Sequence, residues 1–180
     1  MIAAHPSRIL AGLLVLGMAL TGCGTTPAGA TLASTQASPS TAAAGSAVTA
    51  ARAAIAAALG GRHVILQDPQ VPYRPAEPAS LSAVSRAVYQ AVLPRDADHG
   101  YIVVYDFGTD ATARQGGQAL ADYVGSPVGR VNFPLGTRFH VRQLGSTVLF
   151  YADLPDSPDR QAGDVADAIA TIGTEVSVPR

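Results

Sequence analysis

Three cationic side chains alternate along one short stretch, Arg138, His140 and Arg142. In a β-strand, residues two apart point to the same face, so this spacing would align all three. Gly145-Ser146 follows, and then a second strand-like run, Thr147 to Asp153. Glycine at the first position of a two-residue loop fits a type II′ hairpin turn. That turn sets a register in which Val141 faces Phe150, Phe139 faces Ala152, His140 faces Tyr151 and Arg138 faces Asp153. One face of the hairpin is then core, with Phe139, Val141, Val148, Phe150 and Ala152. The other carries Arg138, His140, Arg142, Leu149, Tyr151 and Asp153, and reads as open. Two guanidinium groups there can each fork onto a carboxylate or phosphate, which makes Arg138, His140, Arg142 and Tyr151 a candidate anion-binding site. The same residues also fit a solvated sheet face with Arg138 and Asp153 as a cross-strand pair.

Other chemistry is sparse. His63, His99 and His140 lack metal-ligand spacing, and no metal or cofactor is expected. Asp96-Ala97-Asp98-His99-Gly100 reads either as a cation site or as a polar turn before a strand. Asp153, Asp156 and Asp159 recur every third residue, as the end of a strand and the acidic start of a helix would place them. There is no G-x-S-x-G elbow, and Gly116-Gly117 lacks the lysine of a phosphate loop. Val71-Pro72-Tyr73-Arg74-Pro75 fits a docking loop, or simple packing of Tyr73 over the domain.

The elements that must position these groups are legible in the apolar pattern. Ala47 to Leu59 is alanine-rich and helical, with Val48, Ile55 and Leu59 as a thin stripe, and Gly60-Gly61 stops it. His63 to Gln67 reads as a short strand. Four prolines between Asp68 and Pro78 give an extended crossing. Leu81, Val84, Val88 and Val92 recur at helical spacing from Ser80 to Pro94. Tyr101 to Phe107 is the strongest strand, apolar on both faces and so central. Asp110 caps the next helix, where Gly116-Gly117 imply close approach to the sheet. Ser157-Pro158 opens the last helix, which Gly173 ends, and Glu175 to Val178 closes as a strand. From about 101 to 178 the order is βαββαβ, the ferredoxin-like order, preceded by an extra helix-strand-helix segment. The fold class is therefore α+β.

The N-terminus has its own chemistry. Met1 to Arg8 is a short cationic region, and Ile9 to Leu20 is an uncharged apolar run of twelve residues. As a helix the run spans about 18 Å, short of the roughly 30 Å hydrocarbon core and suited to a signal peptide. Leu20-Thr21-Gly22-Cys23 then resembles the lipobox of bacterial lipoproteins. The resemblance implies cleavage before Cys23, a diacylglyceryl group on its thiol, and a cell-envelope location held by the lipid. Residues 1–22 would be signal peptide and 23–46 the lipidated cysteine plus a flexible linker, leaving 47–180 as one α+β domain. The linker has no charge and no aromatic residue, and as a coil it reaches roughly 25–30 Å. The mature domain resembles envelope lipoproteins of unknown function, which implies no activity.

Composition narrows the partners. Twelve arginines and no lysine meet 13 acids, for a net charge of -1. That balance excludes the basic stripe of a nucleic-acid binder. The single cysteine excludes a disulfide framework. The expected partners are the membrane, through the lipid on Cys23, and a protein or anionic ligand. A non-enzymatic binding module is the leading expectation. The others are a structural subunit of an envelope complex and an envelope hydrolase using His140 or His99 as base.

Overall fold

A computed structural model describes residues 45–180. The expected signal peptide, Cys23 and nearly all of the expected linker lie outside the described residues. Helix α1 (Ser46–Gly60) is followed by β1 (Leu66–Gln67), β2 (Ser85–Ala91), β3 (Tyr101–Asp106), α2 (Asp110–Gly125) and the single turn α3 (Pro127–Arg130). Then come β4 (Arg138–Leu144), β5 (Thr147–Asp153), α4 (Gln161–Ala170) and β6 (Thr174–Glu175). The six strands form one antiparallel sheet in the order β1-β2-β3-β5-β4-β6. The α+β class holds, and β3 and β5 are central as their apolar sequences require.

The hairpin register is the expected one, with Arg138 opposite Asp153, His140 opposite Tyr151 and Val141 opposite Phe150. Gly145 opens the turn at φ +56°. From β3 onward the chain order is strand, helix, strand, strand, helix, strand. The sheet order nevertheless departs from a ferredoxin-like arrangement. There the last strand would lie beside the first, whereas here β6 pairs with β4 at the outer edge and β2 takes the place beside β3.

The segment that takes that place was expected to be helical. The segment from Ser80 to Pro94, read as a helix, contains only a 3-10 turn (Ala79–Leu81) and then β2. Valines at 84, 88 and 92 are four apart, a spacing that suits a helix and equally a strand of period two. Pairing with β3 over Gln90↔Tyr101 through Ser85↔Asp106 decides for the strand. The extra segment is thus helix-strand-strand. Boundaries also move: Thr109 rather than Asp110 caps α2, accepting from the Thr112 N–H. Helix α4 begins three residues later than Ser157-Pro158 suggests, with the Asp159 carboxylate accepting the Gln161 N–H at 2.9 Å.

Both faces of the sheet are covered. Helix α2 packs Ala113, Leu120, Ala121 and Val124 on Val103, Tyr105, Val141, Val148 and Phe150. Helices α1 and α4 pack Val48, Ala51, Ile55, Leu59, Val165 and Ile169 on Ile102, Val104, Leu149 and Tyr151. Gly116 shows why α2 carries its glycines. A Cβ there would lie 2.1 Å from the Phe107 ring, so the ring closes on the bare helix backbone. The hairpin face read as open lies under α1 and α4, with Leu149, Tyr151 and Asp153 at most 1 % exposed. Helix α1 supplies this cover from far away in sequence, with alanine between its few large side chains.

Candidate functional site

Both arginines of the hairpin row have partners within the protein. Arg138 Nε donates to Asp153 Oδ2 at 2.8 Å, with Nη2 on the same oxygen. This is the cross-strand pair expected from the register. His140 stands over Tyr151 with ring centroids 5.9 Å apart, and its Nε2 is 4.0 Å from Asp153 Oδ2. Arg142 turns the other way: Nε donates to Ile172 O at 2.8 Å and Nη2 to Gly173 O at 2.9 Å. It therefore closes the C-terminus of α4, where helix carbonyls lack partners and a cation is favoured. Four strand residues, about 13 Å, separate the two guanidinium-bearing positions. The structure does not bring Arg138 and Arg142 together on one open anion site, because each guanidinium is occupied by the fold.

The electrostatics follow from burial. Burial alone would push the Asp153 carboxyl up, but His140 and Arg138 beside it hold it below the ordinary carboxylate range. Burial, reinforced by the Asp153 and Asp96 carboxylates, pushes the Tyr151 phenol up. His140 Nε2 and Asp153 Oδ1 are buried and make no hydrogen bond within the protein.

The open space lies at the same end of the sheet, on the α2 face. A cavity of about 500 Å³ is bordered by Tyr73, Arg74, Asp98, His99, Tyr101 and Phe133 among others. Tyr73 lies flat on Tyr101, with centroids 4.2 Å apart and 6° between planes. Phe133 meets Phe139 edge-on at 4.8 Å. Three chain segments converge here: the proline-rich crossing, the β2–β3 connection and the α2–β4 connection. A second cavity, about 280 Å³, shares Phe133, Pro134 and Thr137 with the first.

The β2–β3 connection is firmly held. Buried Gln90 donates to Ala97 O at 2.8 Å, and Arg95 N–H donates to Asp159 Oδ2 at 2.8 Å. Gly100 sits at φ +87°, and a Cβ there would come 2.5 Å from Ala91 O. The Asp96–Gly100 run is thus the polar turn, and the cation reading gains no support. Among the described residues no group of three or more His, Cys, Asp or Glu is placed to hold a metal.

His99 Nδ1 contacts Asp96 Oδ1, and Ser157 Oγ donates to Asp96 Oδ2 at 2.5 Å. Burial tends to raise the Asp96 carboxyl, but the hydrogen bonds from Ser157 and His99 bring it below its ordinary value. Serine, aspartate and histidine are the residue types of a nucleophilic triad. Their connectivity is wrong for one, since the carboxylate rather than the imidazole stands in the middle. A base in that middle position would have to reach the serine proton, and His99 does not. Arg74 and Asp98, both exposed, border the cavity and make no side-chain ion pair or hydrogen bond with the described residues.

Sequence reasoning singled out Tyr73 and His99 without joining them, and it missed Phe133. Its only signal was an aromatic residue between Asn132 and Pro134 in a connection, where apolar side chains are uncommon unless they pack. Large exposed aliphatic side chains lie around the same end: Val71 before Tyr73, Ile65 before β1, and Val128, Val131 and Leu135 in the α2–β4 connection. No helix among the described residues is long and apolar enough to cross a membrane. No protein-family model, curated protein or solved structure matches this chain.

Proposed function

We propose that this chain is a lipid-anchored extracytoplasmic protein whose folded domain binds a ligand or partner and catalyses no reaction. The order of cationic region, apolar run and lipobox supports the anchor at Cys23. One geometric observation carries the binding role. The chain enters the domain at Gly45, whose Cα is near the Asp106 carboxylate at one end of β3. The cavity and the exposed aliphatic side chains surround the Tyr101 end. Strands of six or seven residues put roughly 20 Å between the two. A domain tethered at one end therefore offers its cavity and apolar rim at the other, clear of the attachment point.

Two measurements test this reading. Cys23→Ser should release the protein from membranes and abolish labelling by a palmitate analogue; wild-type protein retained without label would remove the anchor. A photo-crosslinking residue at Leu135 should yield adducts in intact cells, whereas one at Ser146, in the hairpin turn at the tether end, should not. Equal adducts from both positions would remove the binding end.

A further inference from the structure

We propose that the cavity at the Tyr101 end is a saccharide-binding site, a step that rests on the reading of this end as the binding end. Its volume, about 500 Å³, lies within the roughly 300–1,000 Å³ of small-molecule sites and has room for a disaccharide. A sugar ring is apolar on its C–H faces and ringed by hydroxyl groups. It needs flat apolar walls and, beside them, planar groups that can bond two neighbouring hydroxyls. The walls are the stacked pair Tyr73 and Tyr101, and Phe133. The planar groups are the Arg74 guanidinium, the Asp98 carboxylate and the His99 imidazole. Guanidinium supplies paired donors, carboxylate paired acceptors, and the imidazole Nε2 one further site, since Nδ1 is held by Asp96.

Charge argues for a neutral ligand. One arginine and one aspartate offset each other at the cavity, so neither a cation nor an anion is selected. An amino-acid zwitterion would use the same two groups as ion pairs. Both residues are exposed, where an ion pair contributes little, roughly 0–1 kcal/mol. The site is also preformed: Gly100, Gln90 and Asp159 hold the loop that carries Asp98 and His99.

The chain has no tryptophan and six tyrosines, so its ultraviolet emission is tyrosine emission. The full chain, in a detergent without a sugar headgroup, is titrated with maltose, chitobiose and, separately, L-leucine. A saturable emission change with one of the disaccharides is expected, weakened at least about tenfold by Tyr73→Ala. Asp98→Asn, which preserves the cavity's shape, should weaken it several-fold. No saturable change with either disaccharide overturns the proposal, as does an unchanged response in both variants or saturation by L-leucine alone. If the disaccharides fail while Leu135 still crosslinks in cells, the sugar is lost and the binding end stands. If both fail, the underlying reading falls with it.

Discussion

Two clusters of the same residue types sit at one end of this sheet, on opposite faces. On the α1/α4 face, Arg138, His140, Tyr151 and Asp153 form a covered set in which arginine pairs with one oxygen of the aspartate. On the α2 face, Arg74, Asp98, His99 and Tyr101 border a cavity, and the arginine and aspartate there have no partner among the described residues. Both clusters contain arginine, aspartate, histidine and tyrosine, so composition does not separate them. Cover does. Asp153 is 1 % exposed, on the sheet face that α1 and α4 cover. A carboxylate so placed must be paired or it costs the fold several kcal/mol. Asp98 is exposed, can stay solvated, and can exchange water for a ligand. The buried Asp153 is held in the sheet by its cross-strand arginine, whereas the exposed Asp98 is left to solvent.

Breaking the closed cluster should have the largest effect. Arg138→Ala strands the buried Asp153 carboxylate and should destabilise the protein by about 2–3 kcal/mol in urea unfolding, near the low end for such pairs because the guanidinium is half-exposed. Adding Asp153→Ala to it should recover part of the loss, since no unpaired charge then remains. The pH dependence follows from the same pair. Folded Asp153 binds its proton less tightly than the unfolded chain does, so its contribution is present above about pH 4 and is lost as pH falls below that. Asp153→Asn should flatten this acid limb of stability, and Asp96→Asn should flatten it further, since Asp96 is lowered too. An acid limb unchanged in both variants would show that neither carboxylate is held by its neighbours.

A second effect, on the open cluster, should be somewhat smaller. Gly100→Ala forces a side chain into positive φ and against Ala91 O. A loss of roughly 2 kcal/mol is expected, and with it a distorted loop beneath Asp98 and His99. Such a variant should lose disaccharide response while the acid limb due to Asp153 stays as in wild type. Loss of that limb as well would mean the two clusters are coupled rather than independent.

The contrast also shows which features can be read from sequence. The hairpin register was legible because its determinants are local: alternation along two strands and a Gly-Ser turn. The fate of its second face was not. Its cover comes from α1, nearly a hundred residues away, whose stripe is mostly alanine and weak as a signal. Strand β2 was unreadable for another reason, since valines four apart satisfy both periods. Glu77 was invisible for a third. It is nearly buried, pairs with Arg86 at 2.6 Å and accepts the Tyr105 hydroxyl at 2.8 Å. Its partners are 9 and 28 residues away, and nothing about a glutamate between two prolines announces them. The cavity was half legible. Tyr73 and His99 each stood out, but only the fold of three connections toward Tyr101 makes them neighbours. The N-terminal resemblance to a lipobox is the opposite case, a contiguous pattern read without any fold.

The smallest effect on stability should come from the rim. Leu135 is fully exposed and Val131 nearly so, and neither joins the buried clusters. Leu135→Gln and Val131→Thr should each change unfolding free energy by no more than about 0.5 kcal/mol, the range of surface substitutions away from caps and ion pairs. They remove little apolar contact in the free protein, because almost none is made there. If the rim meets a partner, crosslinking from nearby Val128 should fall in the double variant while tyrosine emission still responds to disaccharide. If the aliphatic side chains instead continue the wall of the sugar site, the disaccharide response should fall with them. Unfolding midpoint, crosslink yield and emission titration on one protein therefore assign the rim either to the cavity or to a partner beyond it. An unfolding free energy lowered by several kcal/mol would contradict both assignments, since it would mean these side chains are packed in the free domain.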